Sequence, residues 1–265
     1  MTVVATDPVH EYILHLADTA LILGQRNAEW CGHGPVLEED LALANNALDL
    51  IGQARLLYQH VAACRADGTT EDSLAYFRHA HAFRNYTLVE LPHSTGLAPT
   101  ARGERDYAVT MTRNFLFSSL MVLLWDALQS SNDTHLAAIA SKSLKEARYH
   151  VEHASDWLLR FGDGTEESHA KAQAAIDHLM PYTQEFWSAS ELVAVAHERM
   201  GVADMAALKP HWDTHVQAVV QDATLHLPLA DGYVPEGKHG LHSEHLGFVL
   251  SEMQSLAREH PGAQW

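Results

Sequence analysis

Carboxylates and histidines occur in this sequence at spacings that could hold metal ions. The fullest case is Lys145-Glu146-Ala147-Arg148-Tyr149-His150, with His153 one turn further on. Residues three or four apart share a face of a helix. Glu146 and His150 could therefore present a carboxylate and an imidazole together. A second case is Leu48-Asp49-Leu50-Ile51-Gly52-Gln53, where Asp49 supplies the carboxylate, and a third is Asp18 within an apolar stretch. Carboxylates mixed with imidazoles suit iron with positions left open for oxygen. Four-helix bundles that hold two irons take one Glu from each of two helices. A Glu-x-x-His pair comes from each of the other two, and all of these side chains point inward.

Such ligands need long helices to carry them, and helical periodicity dominates the chain. Residues 8–29 place Ile13, Leu16, Ala17, Ala20, Leu21 and Leu23 at helical spacing. Trp30-Cys31-Gly32-His33-Gly34-Pro35 reads as a turn, and a second helix is expected from about Val36 to Ala66. Asp67-Gly68 ends it, and Thr70 reads as the cap of a short helix over 71–79. Tyr86 to Pro92 reads as an extended crossover. Residues 103–131 form a helix apolar around most of its circumference, which predicts a central position. The next helix spans about 134–161 and ends at Gly162-Asp163-Gly164. Further helices over 165–226 are punctuated by Pro181, Gly201 and Pro210, and a terminal helix covers about 243–260. Two long hairpins joined by a long crossover are the connectivity of a ferritin-like four-helix bundle. The expectation is an all-α chain forming one domain over 1–265, with the core bundle at about 8–162 and added helices at about 165–260.

The ligand count within that bundle falls short. In the second hairpin Glu146 stands at the carboxylate position, but Tyr149 stands three residues on, where the imidazole belongs. Between Asp106 and Asp126 there is no Asp or Glu, and Ser118 and Ser119 lie near the mirrored height. In the first hairpin Asp49 is followed by Gly52 and Gln53, and Asp18 reads as its partner on the outgoing helix. Buried carboxylates must be paired or hydrogen-bonded. The favoured reading makes Asp18, Asp49, Gln53, Glu146, Tyr149 and His150 vestigial ligand positions, with the acids satisfied by neighbouring polar groups and no metal bound. The competing reading is a variant metal site on Asp18, Asp49, Glu146 and His150, serving an oxygenase or oxidase.

Other features are weaker. Gly237-Lys238-His239-Gly240-Leu241-His242-Ser243-Glu244-His245 could place His242 and His245 on a metal, but it reads better as a helix start with Ser243 as cap. Cys31 beside His33 resembles a nucleophile pair only by adjacency. There is no phosphate loop and no Gly-x-Ser-x-Gly elbow. The formal charge of −17 argues against nucleic acid, against an anionic membrane surface and against a polyanion such as coenzyme A as a lone ligand. The 20 histidines are spread without a dense tract. The start of the chain does not read as a signal peptide, and two cysteines suggest no disulfide framework, so a cytoplasmic location is expected.

Several stretches together carry a resemblance. Gln25-Arg26-Asn27-Ala28-Glu29-Trp30-Cys31-Gly32-His33, Leu37 to Asn45, Leu48 to Arg55 and Lys145 to His150 are similar to the C-subunit family of phenylacetyl-CoA epoxidases. So are Gly240 to Gly247 and the closing Gln264-Trp265. The resemblance covers nearly the whole chain. It implies a ferritin-like fold and a structural role beside a homologous catalytic A subunit. That partner holds the iron and the coenzyme A thioester, and a reductase subunit supplies electrons. The resemblance also implies that this chain binds no cofactor of its own. The expected interface is above ~2,000 Å², with 233–265 as the candidate contacting segment; a helical adaptor in another complex is a further alternative.

Overall fold

The computed structural model describes residues 7–98, 103–202, 204–229, 232 and 234–263. The opening residues before Asp7, residue 233 and the closing Gln264-Trp265 lie outside the described residues.

Asp7 opens the first helix by accepting from the Val9 N–H at 3.0 Å, and Pro8 at the first helical position needs no donor there. Helix α1 runs Pro8–Ala28 and is buried on nearly every side. After a turn with Gly32 at φ +77°, α2 runs Leu37–Arg65 and closes on Ala66 in the left-handed region. The short α3, Glu71–Tyr76, is closed by a reciprocal Thr70–Ser73 capping pair. Asp106 caps α4, Tyr107–Leu128, and Asp133 caps α5, Thr134–Gly162, by accepting from the N–H groups of His135 and Leu136. Helices α1 and α2 pack as one hairpin, α4 and α5 as another, and α2 lies along α5.

The remaining helices are α6 (Glu166–Leu179), the short α7 (Gln184–Trp187), α8 (Glu191–Met200), α9 (Met205–Asp222) and α10 (Glu244–Glu259). Helix α6 lies on α4 and α5, and α8 lies on α1. Helix α9 packs on α4, where the Trp212 indole donates to the Leu116 carbonyl at 3.1 Å. Helix α10 covers α1, α3 and the crossover. One contiguous cluster of buried apolar side chains joins both hairpins to these added helices. No strand occurs among the described residues beyond one isolated bridge, Glu236 to Leu241. The fold is all-α, a ferritin-like four-helix core with additional C-terminal helices.

Helix α4 alone among the described helices is long and apolar enough to cross a membrane. It lies buried at the bundle centre, as its all-round apolar pattern predicts. Two local expectations fail. Tyr86 to Pro92 is a buried segment containing a 3₁₀ turn, Thr87–Glu90, rather than a plain extended strap. Its backbone can be buried because Arg113 donates to the Leu91 and Pro92 carbonyls and Arg26 donates to the Glu90 carbonyl. Pro210 interrupts nothing: it lies inside α9, where burial of Trp212, Val216 and Val220 carries the helix past the missing donor.

Candidate metal centre and the polar seam between α2 and α5

The candidate ligands fall into two separate places. Asp18 is fully buried on α1. It accepts from the Tyr58 hydroxyl at 2.6 Å, from the Arg84 N–H at 2.8 Å and from both terminal nitrogens of Arg78. Burial, reinforced by the Asp18 charge, raises the Tyr58 phenol well above its usual range. Burial disfavours the Arg78 charge, but Asp18 outweighs it and holds the guanidinium firmly protonated. Asp18 is not the partner of Asp49. A Cβ at Gly24 would meet Leu50 and Ile51, so Gly24 is the α1 residue level with that part of α2. Asp18 lies six residues back, about 9 Å along the helix. Mirror symmetry about the loop misplaces it because the turn is not centred between the two helices' contacts.

Asp49, Gln53, Glu146 and His150 do come together, along the line where α2 meets α5. His150 Nε2 stands 3.1 Å from an Asp49 oxygen. The Gln53 amide donates to Glu146 at 2.9 Å, and Lys142 reaches the other Glu146 oxygen at 3.0 Å. The frame of the Glu-x-x-His motif is displaced by one residue. Tyr149 is 51% exposed and stacks on His153 at the surface, whereas Ala147 and His150 are buried. The inward pair with a spacing of three is therefore Ala147 and His150, and alanine stands at the carboxylate position. On α2, beside Asp49, Leu50 and Gln53 are buried at that spacing. On α4, Ser118 and Ser119 are buried, and Ser119 returns its hydroxyl to the Phe115 carbonyl at 2.7 Å.

The seam extends beyond these residues. Near the start of α2, Glu39 accepts from Tyr107 at 2.5 Å, from His153 at 2.8 Å and from Trp157 at 2.9 Å. Burial alone would raise the Glu39 carboxyl, but these donors outweigh it and hold it below its usual value. At the other end His60 pairs with Asp133 at 2.6 Å. The sequence reading missed Glu39 and His60. The signal was present as acid and imidazole spaced along the facing stripes of two helices, but it needs the α2–α5 register to be read.

These side chains do not fit a pair of irons. Every acid named already has protein donors, and among the described residues no three His, Cys, Asp or Glu side chains converge to hold a metal ion. The remaining candidates resolve plainly. Ser243 caps α10 by accepting from the His245 N–H. His242 turns inward to Glu90 at 3.0 Å and to the Phe83 carbonyl at 3.0 Å. Cys31 and Cys64 are free and exposed, and His33 faces the Cys31 carbonyl rather than its thiol.

A second polar cluster lies where α1, α4 and the crossover meet. His93 is buried, with Nε2 donating to Glu29 at 3.1 Å and Nδ1 accepting from Arg113 at 2.9 Å. Burial, with help from Arg113, pushes its pKa down to about 4. Glu29 is held at about 2, because the His93 and Arg26 contacts outweigh its burial. Burial lowers Arg113 to about 9. The cluster fixes the crossover on the bundle through the Arg113 and Arg26 contacts with its carbonyls, although the Nε atoms of both arginines are buried without a partner.

Comparison with known proteins adds two findings. A family model described as "Phenylacetic acid catabolic protein" matches residues 1–265. The C subunit of the 1,2-phenylacetyl-CoA epoxidase of Escherichia coli (strain K12) is 43% identical over 255 residues, 96% of this chain and 98% of that protein.

Proposed function

Because this chain belongs to the phenylacetic acid catabolic protein family, we propose that it is a non-catalytic structural subunit of a phenylacetyl-CoA epoxidase acting in aerobic phenylacetate degradation. Its partner is a catalytic subunit that holds the iron and binds the coenzyme A thioester, served in turn by a reductase subunit. The whole chain acts as one domain, in the cytoplasm.

The observation that supports this reading is the inward register of the bundle. Where a di-iron bundle needs carboxylate and imidazole, α5 presents Ala147 and His150, α2 presents Leu50 and Gln53, and α4 presents Ser118 and Ser119. Asp49 and Glu146 sit at the α2–α5 seam with His150, Gln53 and Lys142 as partners. A bundle built this way needs no metal to neutralise a cluster of acids, so it is stable without iron. The charge of −17 agrees with this, since it disfavours an anionic thioester on this chain by itself.

The test is iron binding. The purified chain is loaded anaerobically with excess Fe(II), desalted and assayed for iron per chain, then assayed for turnover with and without the catalytic subunit. The expected outcome is iron near zero and turnover only in the complex. One or two retained irons would overturn the proposal and direct mutation to Asp49, Glu146 and His150.

A further inference from the structure

Near the far end of α2 a thiol, an imidazole and a carboxylate stand in line. Cys64 Sγ lies 3.9 Å from His60 Nδ1, one turn back on the same helix. His60 Nε2 lies 2.6 Å from an oxygen of Asp133, at the start of α5. The His60 side chain is only 11% exposed, and the His135 ring lies 4.6 Å from its ring, centre to centre. Cys64 itself is open to solvent. A nucleophile, a base within reach of it and a third group that orients the base form a relay that activates a side chain for attack. The group does not hold a metal, since among the described residues no three His, Cys, Asp or Glu side chains converge to do so.

The hydrogen bonds of Asp133 fix which ring nitrogen of His60 carries the proton. One carboxylate oxygen accepts from the N–H groups of His135 and Leu136, both at 3.0 Å, as the cap of α5. The other oxygen is left for His60. Burial opposes charge on Asp133, but these donors outweigh it and hold the carboxyl below its usual range. A charged carboxylate only accepts, so His60 Nε2 carries the proton and Nδ1 turns its lone pair to Cys64. The sulfur is not a thiolate by itself, because burial and the Asp133 charge raise its pKa. Its proton has to pass to His60 as the sulfur reacts. Cys31 provides the contrast: it is also exposed, but His33 faces its carbonyl and not its sulfur.

We propose that Cys64 is a modification site, a thiol that His60 activates as general base and that hydrogen peroxide oxidises to the sulfenic acid. A peroxide needs a base and an open approach to sulfur, and the relay and the exposure of Cys64 supply both. Cys64 passes its S–H proton to His60 Nδ1 as the sulfur attacks one peroxide oxygen. The S–O bond forms and the O–O bond breaks. The leaving hydroxide takes the proton back from His60 and departs as water. Sulfur is oxidised from thiol to sulfenic acid, and the peroxide is reduced to water. No internal disulfide follows, because Cys31 precedes α2 and Cys64 lies near its other end, about 40 Å away at the rise of a helix. The inference goes beyond the subunit role proposed above and does not depend on it.

The experiment treats the full chain with hydrogen peroxide at neutral pH in the presence of dimedone, which traps sulfenic acid. Labelling of the Cys64 and Cys31 peptides is followed by mass spectrometry. The expected result is labelling at Cys64 at least about ten-fold faster than at Cys31. His60→Gln and Asp133→Asn should each bring Cys64 to the Cys31 rate. Asp133→Asn is the sharper variant. Its amide oxygen keeps the α5 cap, so its NH2 group meets His60 Nε2 and puts the ring proton on Nδ1, where it blocks transfer from sulfur. Its melting temperature should stay near that of the wild type, so that loss of labelling is not loss of folding. Equal labelling of the two cysteines in the wild-type chain would overturn the proposal. So would a fast Cys64 that neither variant slows, since exposure alone would then set its rate.

Discussion

At the scale of single residues, the same carboxylate can be a metal ligand or half of an ion pair, and the difference lies in what surrounds it. Asp18 has the type and burial of a ligand, yet Arg78, Tyr58 and the Arg84 backbone use its oxygens. Its role is to hold the segment after α3 against the bundle. Asp18→Asn should then destabilise the chain by about 3 kcal/mol, because it leaves the Arg78 guanidinium largely buried without its counter-charge. Urea unfolding measures this; a change below about 1 kcal/mol would show that Arg78 finds other acceptors. Glu146 differs. Its partners are buried Gln53 and exposed Lys142, and the ion pair with Lys142 contributes little by itself.

At the scale of elements, the α2–α5 seam orders the two hairpins relative to each other. It is a ladder of polar pairs, Glu39 with His153, Asp49 with His150, Gln53 with Glu146 and His60 with Asp133. The strongest rung is Glu39, which joins α2 to α5 through His153 and Trp157 and to α4 through Tyr107. Glu39→Ala strands three donors at once. The expected cost is about 2 kcal/mol in urea unfolding, with a change in Trp157 fluorescence as the ring loses its acceptor. The segment before α10 is tied down by comparable means. Glu90 is fully buried and accepts from His242, from the Ser243 N–H and from Asn85. Burial opposes charge on His242, but its contacts with Glu90 outweigh burial and raise its pKa above 6.5. Stability from this pair is present below pH 6.5 and is lost as pH rises through the folded value. His242→Gln should remove that loss on the alkaline side.

At the scale of the whole molecule, acid stability is set by histidines buried without charge. Burial brings both His15 and His93 down to about 4. Their pKa is lower in the folded state than in the unfolded state. Between pH 6.5 and 4 the unfolded chain therefore binds more protons, and stability falls as pH falls through that window. Urea midpoints measured from pH 7 to 4 should decline steeply, and His93→Gln should make the decline shallower. An unchanged slope would mean that the ring is not kept neutral in the fold.

Much of this was legible in the chain itself. The long helices, the central apolar α4 and the Thr70 and Ser243 caps follow from periodicity and capping chemistry, which are local properties. What the sequence could not supply was register. Whether Asp18 lies level with Asp49, and whether Glu146–Tyr149 or Ala147–His150 points inward, depends on how two helices slide and rotate against each other. A one-residue change in frame turns a side chain by about 100° and moves it from the interior to the surface. Packing of the apolar faces sets that frame, and so only the tertiary structure decided that Asp18 belongs to Arg78, that Tyr149 faces outward and that the remaining acids join α2 to α5.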